Sequence, residues 1–461
     1  MRRTKIMVTL GPSSMQENVI YSLVKNGTDV FRLNFSHGTL EEKDLMIRMI
    51  RKIEESSGKL LPILADLRGP SLRLGTVKKF FVKRGEEVVI RLSGKGLSSR
   101  KEVPIPYSEV FEVLEEGDIV LIDDGKVRVK IEKILDDRIR GKVLSEGEIR
   151  SHVTFAVQGK DPPLPTLTEK DLKDIKFAVE RGVEFFALSF VRSAKDVRDL
   201  RRILGEYNAY DAKIISKIET KSAIDNLDKI INTSDGIMIA RGDLGMHFPL
   251  EEVPYLQEKI ARRCLEMGKP SILATQILES MVERPMPTRA EVADVYAAVK
   301  QGVSALMLSS ETAIGKYPVE AVKWLDTILR YAESKIPPPK VDGINETIYD
   351  KFAKGIVLLA ESINAKIIAY TKKGATAYRI SRYRPRTETY IATADKRVAR
   401  QINLLWGLIP MYTPDIELEA AIVKVFEDLR RKGILRKGDI AILTVGMREG
   451  ATDLARIEII E

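Results

Sequence analysis

The chain has 461 residues, with 75 Lys and Arg against 66 Asp and Glu, three histidines and one cysteine, Cys264. This length predicts two to four domains, and a lone cysteine leaves no internal disulfide, which favours a reducing, cytoplasmic location. Zinc clusters and catalytic triads are excluded because they need several imidazoles or thiols, so carboxylates, lysines and hydroxyls must carry the chemistry.

The net charge of +9 predicts an evenly charged surface rather than a nucleic-acid binder, because no nucleic-acid motif accompanies it. No apolar stretch approaches the length of a membrane span. The charged fraction of 31% is also typical of a thermophilic protein.

Short apolar, β-branched runs alternate with amphipathic helical stretches from the first residue onward. Eight such runs are present: 5–10, 29–35, 60–67, 183–191, 212–219, 235–242, 270–276 and 304–312. Strands that are apolar throughout and alternate with helices predict a parallel α/β fold. Eight repeats predict a closed (β/α)8 TIM barrel.

Two segments depart from this rhythm. Residues 70–163 show period-two alternation around turns such as Asp124-Gly125, which predicts an inserted small β-barrel domain that acts as a lid. The barrel then comprises residues 1–69 and 164–336. A proline linker follows, and the pattern restarts in residues 341–461 as an open α/β regulatory domain with strands near 366–371, 387–394 and 438–445.

Polar residues follow the predicted barrel strands at their C-terminal ends, where barrel enzymes place their chemistry. Residues two apart share a face of a strand, which groups Arg32 with Asn34 and Ser36, Lys217 with Glu219, and Arg241 with Asp243. Glu219 and Asp243 supply hard oxygen ligands for Mg²⁺ or Mn²⁺. With Arg32, Arg73, Lys217 and Arg241 as surrounding cations, the set indicates phosphoryl transfer, and Thr275 offers a hydroxyl for positioning or proton relay.

Long segments of the chain resemble the pyruvate kinase family. They are RLNFSHG at 32–38, ISKIET at 215–220, SDGIMIARGDLG at 234–245, ATQILESM at 274–281, PTRAEVADV at 287–295 and MLSSETAIGKYPVEAV at 307–322. The resemblance implies a glycolytic, homotetrameric phosphotransferase that converts phosphoenolpyruvate and ADP into pyruvate and ATP. The inserted domain would close over nucleotide and metal.

The resemblance also implies roles for individual residues. Those matching the family's catalytic positions are Lys217, Thr275 and Arg32, which bind substrate together with Gly242 and Asp243. Those matching the Mg²⁺ ligands are Glu219 and Asp243. Those matching nucleotide positions are Asn34, Phe35, Ser36, His37 and Arg73. Those matching the monovalent-cation ligands are Asn34, Ser36, Asp66 and, through its backbone carbonyl, Leu67.

Three departures from the family pattern modify these expectations. The family has threonine and glutamate where this chain has Leu67 and Ser71, which predicts activity without K⁺. The lid exit at 151–165 is atypical, so a nucleotide role for Lys160 stays open. The loop at 370–386 and the run at 446–452 argue against fructose-1,6-bisphosphate, although Lys372–Gly374 leave another phosphorylated effector open.

Two other functions are compatible with parts of this pattern. One is a Mg²⁺-dependent lyase that acts through a pyruvate enolate on the same barrel. The other is a catalytically silent sensor of nucleotides or sugar phosphates. The lid argues against the lyase, and the intact set of Lys217, Glu219, Asp243 and Thr275 argues against the sensor.

Overall fold

The computed structural model describes residues 2–92, 101–135, 138–414, 418–446 and 451–461. Its N-terminal part begins a closed barrel in which parallel strands alternate with helices. The first elements are β1 (Lys5–Leu10), α1 (Glu17–Lys25), β2 (Val30–Asn34), α2 (Leu40–Ser57) and β3 (Ile63–Asp66). Every residue of β1 and β3 is buried, because helices cover the outer face and the opposite strands cover the inner one.

An inserted domain, made mostly of antiparallel strands, separates β3 from the next barrel helix. Its elements are β4 (Phe80–Val82), β5 (Glu87–Leu92), β6 (Glu102–Ile105), α3 (Ser108–Val113), β7 (Ile119–Ile122), β8 (Val127–Leu135), β9 (Arg138–Val143), β10 (Gly147–Ile149) and β11 (Phe155–Val157). They form a six-stranded sheet in the order β11-β7-β8-β9-β5-β6 and a two-stranded sheet of β10 with β4. Alternate residues of β9 are buried, so the period-two pattern marks the face that covers this domain's own core.

The barrel resumes after the insertion. Its remaining elements are α4 (Glu169–Glu180), β12 (Phe185–Leu188), α5 (Ala194–Glu206), β13 (Lys213–Ile218), α6 (Lys221–Asp225), α7 (Leu227–Thr233), β14 (Gly236–Ala240), α8 (Arg241–His247), α9 (Val253–Glu266), β15 (Ser271–Ala274), α10 (Arg289–Gln301), β16 (Ala305–Leu308), α11 (Ser310–Ala313) and α12 (Pro318–Lys335). The strands close in the order β1-β16-β15-β14-β13-β12-β3-β2, which confirms the predicted TIM barrel.

Two details of this region differ from the sequence prediction. The helix predicted over 220–232 is divided at Asn226 into α6 and α7. The chain also turns into helix α8 directly after β14, so Arg241 and Asp243 do not alternate on a strand as predicted. Residues two apart on a helix lie about 200° apart around its axis, and these two side chains accordingly serve different neighbours.

The inner face of the barrel determines which polar side chains reach its mouth. Val30 of β2 and Ile215 of β13 lie in the apolar cluster that fills the barrel interior. Because side chains alternate along a strand, Arg32 and Asn34 continue the inward face of β2, and Lys217 continues that of β13. The barrel core therefore forms the floor beneath these charged groups.

The C-terminal domain is an open α/β sheet. Its elements are α13 (Ile348–Ser362), β17 (Lys366–Tyr370), α14 (Ala375–Arg382), β18 (Thr389–Thr393), α15 (Lys396–Ile402), β19 (Leu408–Tyr412), α16 (Leu418–Arg431), β20 (Ile440–Val445) and β21 (Leu454–Ile459). The strand order is β19-β18-β17-β20-β21, with β21 antiparallel to β20. The sequence prediction missed β19, which carries Pro410 at the sheet edge, and β21, whose side chains are almost all exposed.

This domain packs against the N-terminal ends of the barrel strands, opposite the mouth. Leu404 is buried in the same apolar cluster as Met7 and Val30 and so closes the barrel floor. Lys5, at the start of β1, donates a 2.8 Å hydrogen bond from its Nζ to the carbonyl of Leu408. One end of the barrel therefore carries the mouth, and the other end forms the interface with the C-terminal domain.

An ion-pair network also joins the C-terminal domain to the barrel. Arg400 on α15 contacts Glu54 on α2, with 2.9 Å between Nε and Oε2, and Glu184, with 3.1 Å between Nη1 and Oε1. Burial would raise the pKa of Glu54, but its bonds to Arg400 and to the amide of Leu61 lower it overall. A carboxyl with a depressed folded-state pKa stabilises the protein above its unfolded pKa of about 4.3 and loses that contribution as the pH falls.

We expect Arg400→Leu to lower the free energy of unfolding by about 3 kcal/mol, because two buried carboxylates lose a partner. The deficit relative to the unmodified chain should shrink as the pH falls below about 4. Denaturant unfolding followed from pH 7 down to about pH 3 measures both effects. Arg202→Leu, which removes an exposed pair with Glu206 on α5, serves as control and should cost less than about 0.5 kcal/mol. Equal losses in the two variants would contradict this assignment.

Candidate active site

Lys217 lies at the centre of the barrel mouth. Its Nζ is 3.3 Å from Oε2 of Glu219 and 3.7 Å from Oδ1 of Asp66, and it donates a 2.8 Å hydrogen bond to Oγ of Ser189. Burial alone would lower the pKa of Lys217, but the negative charges of Asp66, Glu219 and Asp243 raise it overall. The ammonium group therefore stays charged throughout the physiological range and cannot act as a base.

The two oxygens of Glu219 differ in their partners: Oε1 accepts a hydrogen bond, whereas Oε2 has only the ion pair with Lys217. Its Oε1 accepts a 2.7 Å hydrogen bond from the amide of Phe190, whereas its Oε2 is buried and accepts no hydrogen bond. Burial, reinforced by the charge of Asp243, raises the pKa of this carboxyl. Both observations describe a carboxylate that lacks a positive neighbour beyond Lys217.

A divalent cation fits this arrangement. Oε2 of Glu219 accepts no hydrogen bond and can serve as a metal ligand, and Asp243 at the start of α8 supplies a second carboxylate. Across the described ranges, no three or more His, Cys, Asp and Glu side chains come close enough together to hold a metal ion. Two protein carboxylates, with water and substrate completing the shell, match the way Mg²⁺ is usually held.

Arg32 is fixed on the opposite side of Asp66. Its Nε donates to Oδ2 of Asp66 at 2.7 Å, and its Nη1 donates to Oγ1 of Thr9 at 3.1 Å. Burial would raise the pKa of Asp66, but Lys217 and Arg32 lower it overall, so this carboxylate remains charged. Asp66 thereby holds two cations at one side of the mouth.

Thr275 occupies a strained position after β15. Its φ is 68° and that of Gln276 is 54°, both in the left-handed region that non-glycine residues rarely adopt. Oγ1 of Thr275 accepts a 3.0 Å hydrogen bond from the amide of Gly242. The turn thus places the hydroxyl beside the first turn of α8, which also carries Asp243.

Arg241 holds this strained turn and does not face the metal position. Its Nη2 donates to the carbonyls of Thr275 at 2.8 Å and Gln276 at 2.7 Å, and its Nη1 pairs with Asp294 at 2.6 Å. The prediction that Arg241 is one of the cations around the metal is therefore wrong. The residue belongs to α8 instead of a strand, which turns its side chain toward the β15 loop.

The predicted nucleotide residues lie along the loop after β2. Burial, reinforced by the charges of Arg73, Lys43, Arg32 and Arg68, lowers the pKa of His37, which shows that the loop sits in a positive field. Phe35 is only 2% exposed, and its amide donates a 3.0 Å hydrogen bond to the carbonyl of Asp66, so it offers a ligand little surface.

Lys170, which the sequence reasoning missed, donates a 2.7 Å hydrogen bond to the carbonyl of Phe35. Arg73 donates at 2.9 Å to the carbonyl of His152 in the inserted domain.

The predicted monovalent-cation positions come together but already have protein partners. Asn34 pairs in register with Asp66 across β2 and β3, and its Oδ1 accepts a 3.0 Å hydrogen bond from the amide of Ser36. The carbonyl of Leu67 accepts a 2.7 Å hydrogen bond from Oγ of Ser189. Oδ1 of Asp66 is the buried oxygen in this set that has no hydrogen-bond partner among the described residues.

The exit of the inserted domain is tied to the barrel. Asp161 accepts a 2.8 Å hydrogen bond from the amide of Ser222, and Arg192 donates to the carbonyls of Pro162 and Leu164. The proline-containing segment 162–165 is thus held to the barrel. Lys160, just before it, pairs with Asp118 at 2.9 Å inside the inserted domain. A cleft that leaves about 110 Å³ for water-sized spheres separates the two bodies here, with Asp243 and Thr154 among its lining residues.

The candidate effector loop lies at the start of α14. Gly374 has a φ of 90° and donates its amide to Oγ1 of Thr371 at 3.0 Å. Thr376 contacts Thr452 through their hydroxyl oxygens at 2.9 Å, which brings the end of the predicted 446–452 run beside this loop. Residues 447–450 lie outside the described ranges.

Comparisons with known proteins agree with this geometry. The family models for the pyruvate kinase barrel domain and the pyruvate kinase alpha/beta domain match residues 1–322 and 350–458. A pyruvate kinase of Aeropyrum pernix is 37% identical over 459 residues, covering 99% of each chain. The chain belongs to the pyruvate kinase family.

Two solved pyruvate kinases extend the likeness to the whole fold. The structure from Pyrobaculum aerophilum has a TM-score of 0.91 at 33% identity and covers 100% of this chain and 99% of its own. That from Cryptosporidium parvum has a TM-score of 0.93 at 32% identity and covers 100% and 96%. As a pyruvate kinase family member, the protein is a glycolytic phosphotransferase acting on phosphoenolpyruvate and ADP, which decides against the lyase and the silent sensor.

We expect Arg241→Gln to lower kcat by about 100-fold with little change in KM, because a released turn misplaces the Thr275 hydroxyl by about 1 Å. Steady-state kinetics of pyruvate formation measures this. Arg201→Gln, which removes an ion pair with Asp235 at the other end of the barrel, serves as control. A rise in KM at unchanged kcat would show that Arg241 serves binding and not the placement of Thr275.

Proposed function

We propose that phosphoryl transfer takes place between Lys217, Arg32 and a divalent cation, Mg²⁺ or Mn²⁺, held by Glu219 and Asp243. The observation that carries this proposal is the buried Oε2 of Glu219, which accepts no hydrogen bond and lies 3.3 Å from Nζ of Lys217, a lysine whose pKa is raised. When bound, the cation supplies a positive charge that neutralises substrate oxygens.

The remaining residues position the substrate and stabilise its negative charge. Phosphoenolpyruvate presents a phosphate and a carboxylate, and its enolate carries negative charge once the phosphoryl group leaves. Arg32, held by Asp66 and Thr9, binds the phosphate, and Lys217 stabilises the transferring group and the enolate oxygen. Gly242 and Thr275 orient the enolate, and the Thr275 hydroxyl relays the proton that converts it to pyruvate.

The nucleotide lies on the loop of Asn34, Phe35, Ser36 and His37, with Arg73 reaching from the inserted domain. The positive field that lowers the pKa of His37 supports this placement, because it suits the phosphates of ADP. Closure of the inserted domain would exclude water during transfer. Since the exit segment is held from Asp161 onward, closure would bend the chain before that residue.

We expect Glu219→Gln to lower kcat for pyruvate formation from phosphoenolpyruvate and ADP by about 1,000-fold, because a carboxylate ligand is lost from the centre of charge development. Binding of Mn²⁺, followed by electron paramagnetic resonance, should weaken in parallel. Glu258→Gln, on the exposed face of α9, is the matched control and should behave like the unmodified enzyme. Unchanged Mn²⁺ affinity in Glu219→Gln would remove the basis of the proposal.

We also propose that the enzyme does not require K⁺. Leu67 and Ser71 replace the family's threonine and glutamate, and the carbonyl of Leu67 is already bonded to Ser189. Two cations, Arg32 and Lys217, already balance Asp66.

The rate in sodium or tetramethylammonium salts should therefore stay within tenfold of the rate in potassium salts at equal ionic strength. A coupled assay of pyruvate formation measures this. A rate below one tenth would show that K⁺ is needed.

A homotetramer is the assembly that we propose. Edge strand β21 exposes Ile457 and Ile459, which are two residues apart and so share a face that a second copy would cover. Sedimentation velocity tests this proposal, and a monomer at micromolar concentration would contradict it.

A phosphorylated effector other than fructose-1,6-bisphosphate is proposed for the loop Lys372–Gly374, where Lys372 is exposed. Calorimetric titration with sugar phosphates and AMP is the test, and the absence of any heat would contradict it.

None of the helices within the described ranges is long and apolar enough to cross a membrane. We propose a cytoplasmic location, with which the buried, unpaired thiol of Cys264 agrees.

A further inference from the structure

Arg384 is buried where the C-terminal domain meets the barrel floor. The residue is only 4% exposed, and its guanidinium lies 4.8 Å from the ring centre of Trp406. Its Nη2 donates to the carbonyl of Gly302 at 2.6 Å and to Oγ of Ser304 at 3.1 Å. Arg384 thus joins the C-terminal domain to the segment that leads into β16.

Half of this guanidinium lacks a partner. Its Nε and Nη1 are buried and donate no hydrogen bond within the described part of the chain, and no described carboxylate forms an ion pair with it. Burial lowers the pKa of Arg384 to about 9, which still leaves the group charged at neutral pH. A buried charge needs a counter-charge or a set of hydrogen-bond acceptors. The ring of Trp406 supplies only a weak cation–π attraction.

A small cavity adjoins these unpaired donors. The space that it leaves for a water-sized sphere is about 10 Å³, the scale of one water molecule or one small ion. Its lining includes Arg384, Arg382, Lys269 and Tyr378. Nε of Arg382 and the hydroxyl of Tyr378 are also buried without a hydrogen-bond partner. The lining contains three cationic side chains and no carboxylate.

The other cations of the cavity are partly compensated, which singles out Arg384. Nη1 of Arg382 lies 3.7 Å from Asp350, and its Nη2 donates to the carbonyl of Glu266 at 2.6 Å. Nζ of Lys269 donates to the carbonyl of Ser234 at 2.5 Å. The unmet positive charge is therefore concentrated at the Nε and Nη1 edge of Arg384.

We propose that this cavity binds a small monovalent anion of the halide class, chloride under cellular conditions. The donors at hand are Nε and Nη1 of Arg384, Nε of Arg382 and the hydroxyl of Tyr378. A water molecule could accept from the same donors but would leave the charge of Arg384 uncompensated. The anion would fasten α14 and the following loop to the ends of β15 and β16 that lie opposite the active site.

Thermal unfolding at constant ionic strength, with chloride replacing gluconate, tests the proposal in solution. Because a ligand that binds only the folded state stabilises it, the midpoint of the full-length enzyme should rise by on the order of 2 °C for each tenfold increase in chloride above the dissociation constant. Arg384→Met should abolish this dependence, and Tyr378→Phe, which removes one donor with little change of shape, should shift it to higher chloride. Arg430→Met, on the outer helix α16, should leave it unchanged.

Crystals grown in sodium bromide give the matching structural test. An anomalous peak beside Arg384, together with the chloride-dependent midpoint, would establish the site. A water without anomalous signal would overturn the proposal. A bromide peak with no chloride dependence in solution would also overturn it, as binding at crystal concentration only. If Arg384→Met does not fold, an unaltered chloride dependence in Tyr378→Phe would count against the site.

Discussion

The active site depends on one buried charge cluster, in which the ammonium of Lys217 lies between the carboxylates of Asp66 and Glu219. These three side chains come from two strands and the turn after one of them. Each charge is stable in the barrel mouth only because the others are there, since an isolated buried ion would neutralise or disrupt the fold. Arg32 extends the cluster on one side, and Oε2 of Glu219, which accepts no hydrogen bond, lies on the other, where we propose the divalent cation.

This cluster explains why the rest of the mouth is held so firmly. Groups that stabilise a transferring phosphoryl group must be in place before the reaction, because reorientation during transfer would cost the energy that they supply. The strained Thr275 turn, which Arg241 and Asp294 secure, meets that demand. The hydrogen bond from Ser189 to Leu67 meets it too, because the same hydroxyl accepts from Lys217.

The charged side chains at the two ends of the barrel are surrounded in different ways. At the mouth, carboxylates and cations leave places for substrate and metal. At the floor, Arg400 is matched by Glu54 and Glu184, whereas Arg384 forms no ion pair within the described residues and lines a small cavity. Because buried charges depend on what neutralises them, we propose a small-ion site at each end of the barrel.

The sequence by itself determined the barrel, the insertion and much of the active site. Apolar strands that alternate eight times with helices have few other ways to bury themselves, and the two-residue spacing of Lys217 and Glu219 places both toward the mouth. Only the tertiary structure decided the role of Arg241, because its direction depends on whether β14 continues or turns into α8. Ser189, Lys170 and Arg384 also escaped the sequence reasoning, since their partners lie far away along the chain and a contact between distant residues leaves no local pattern.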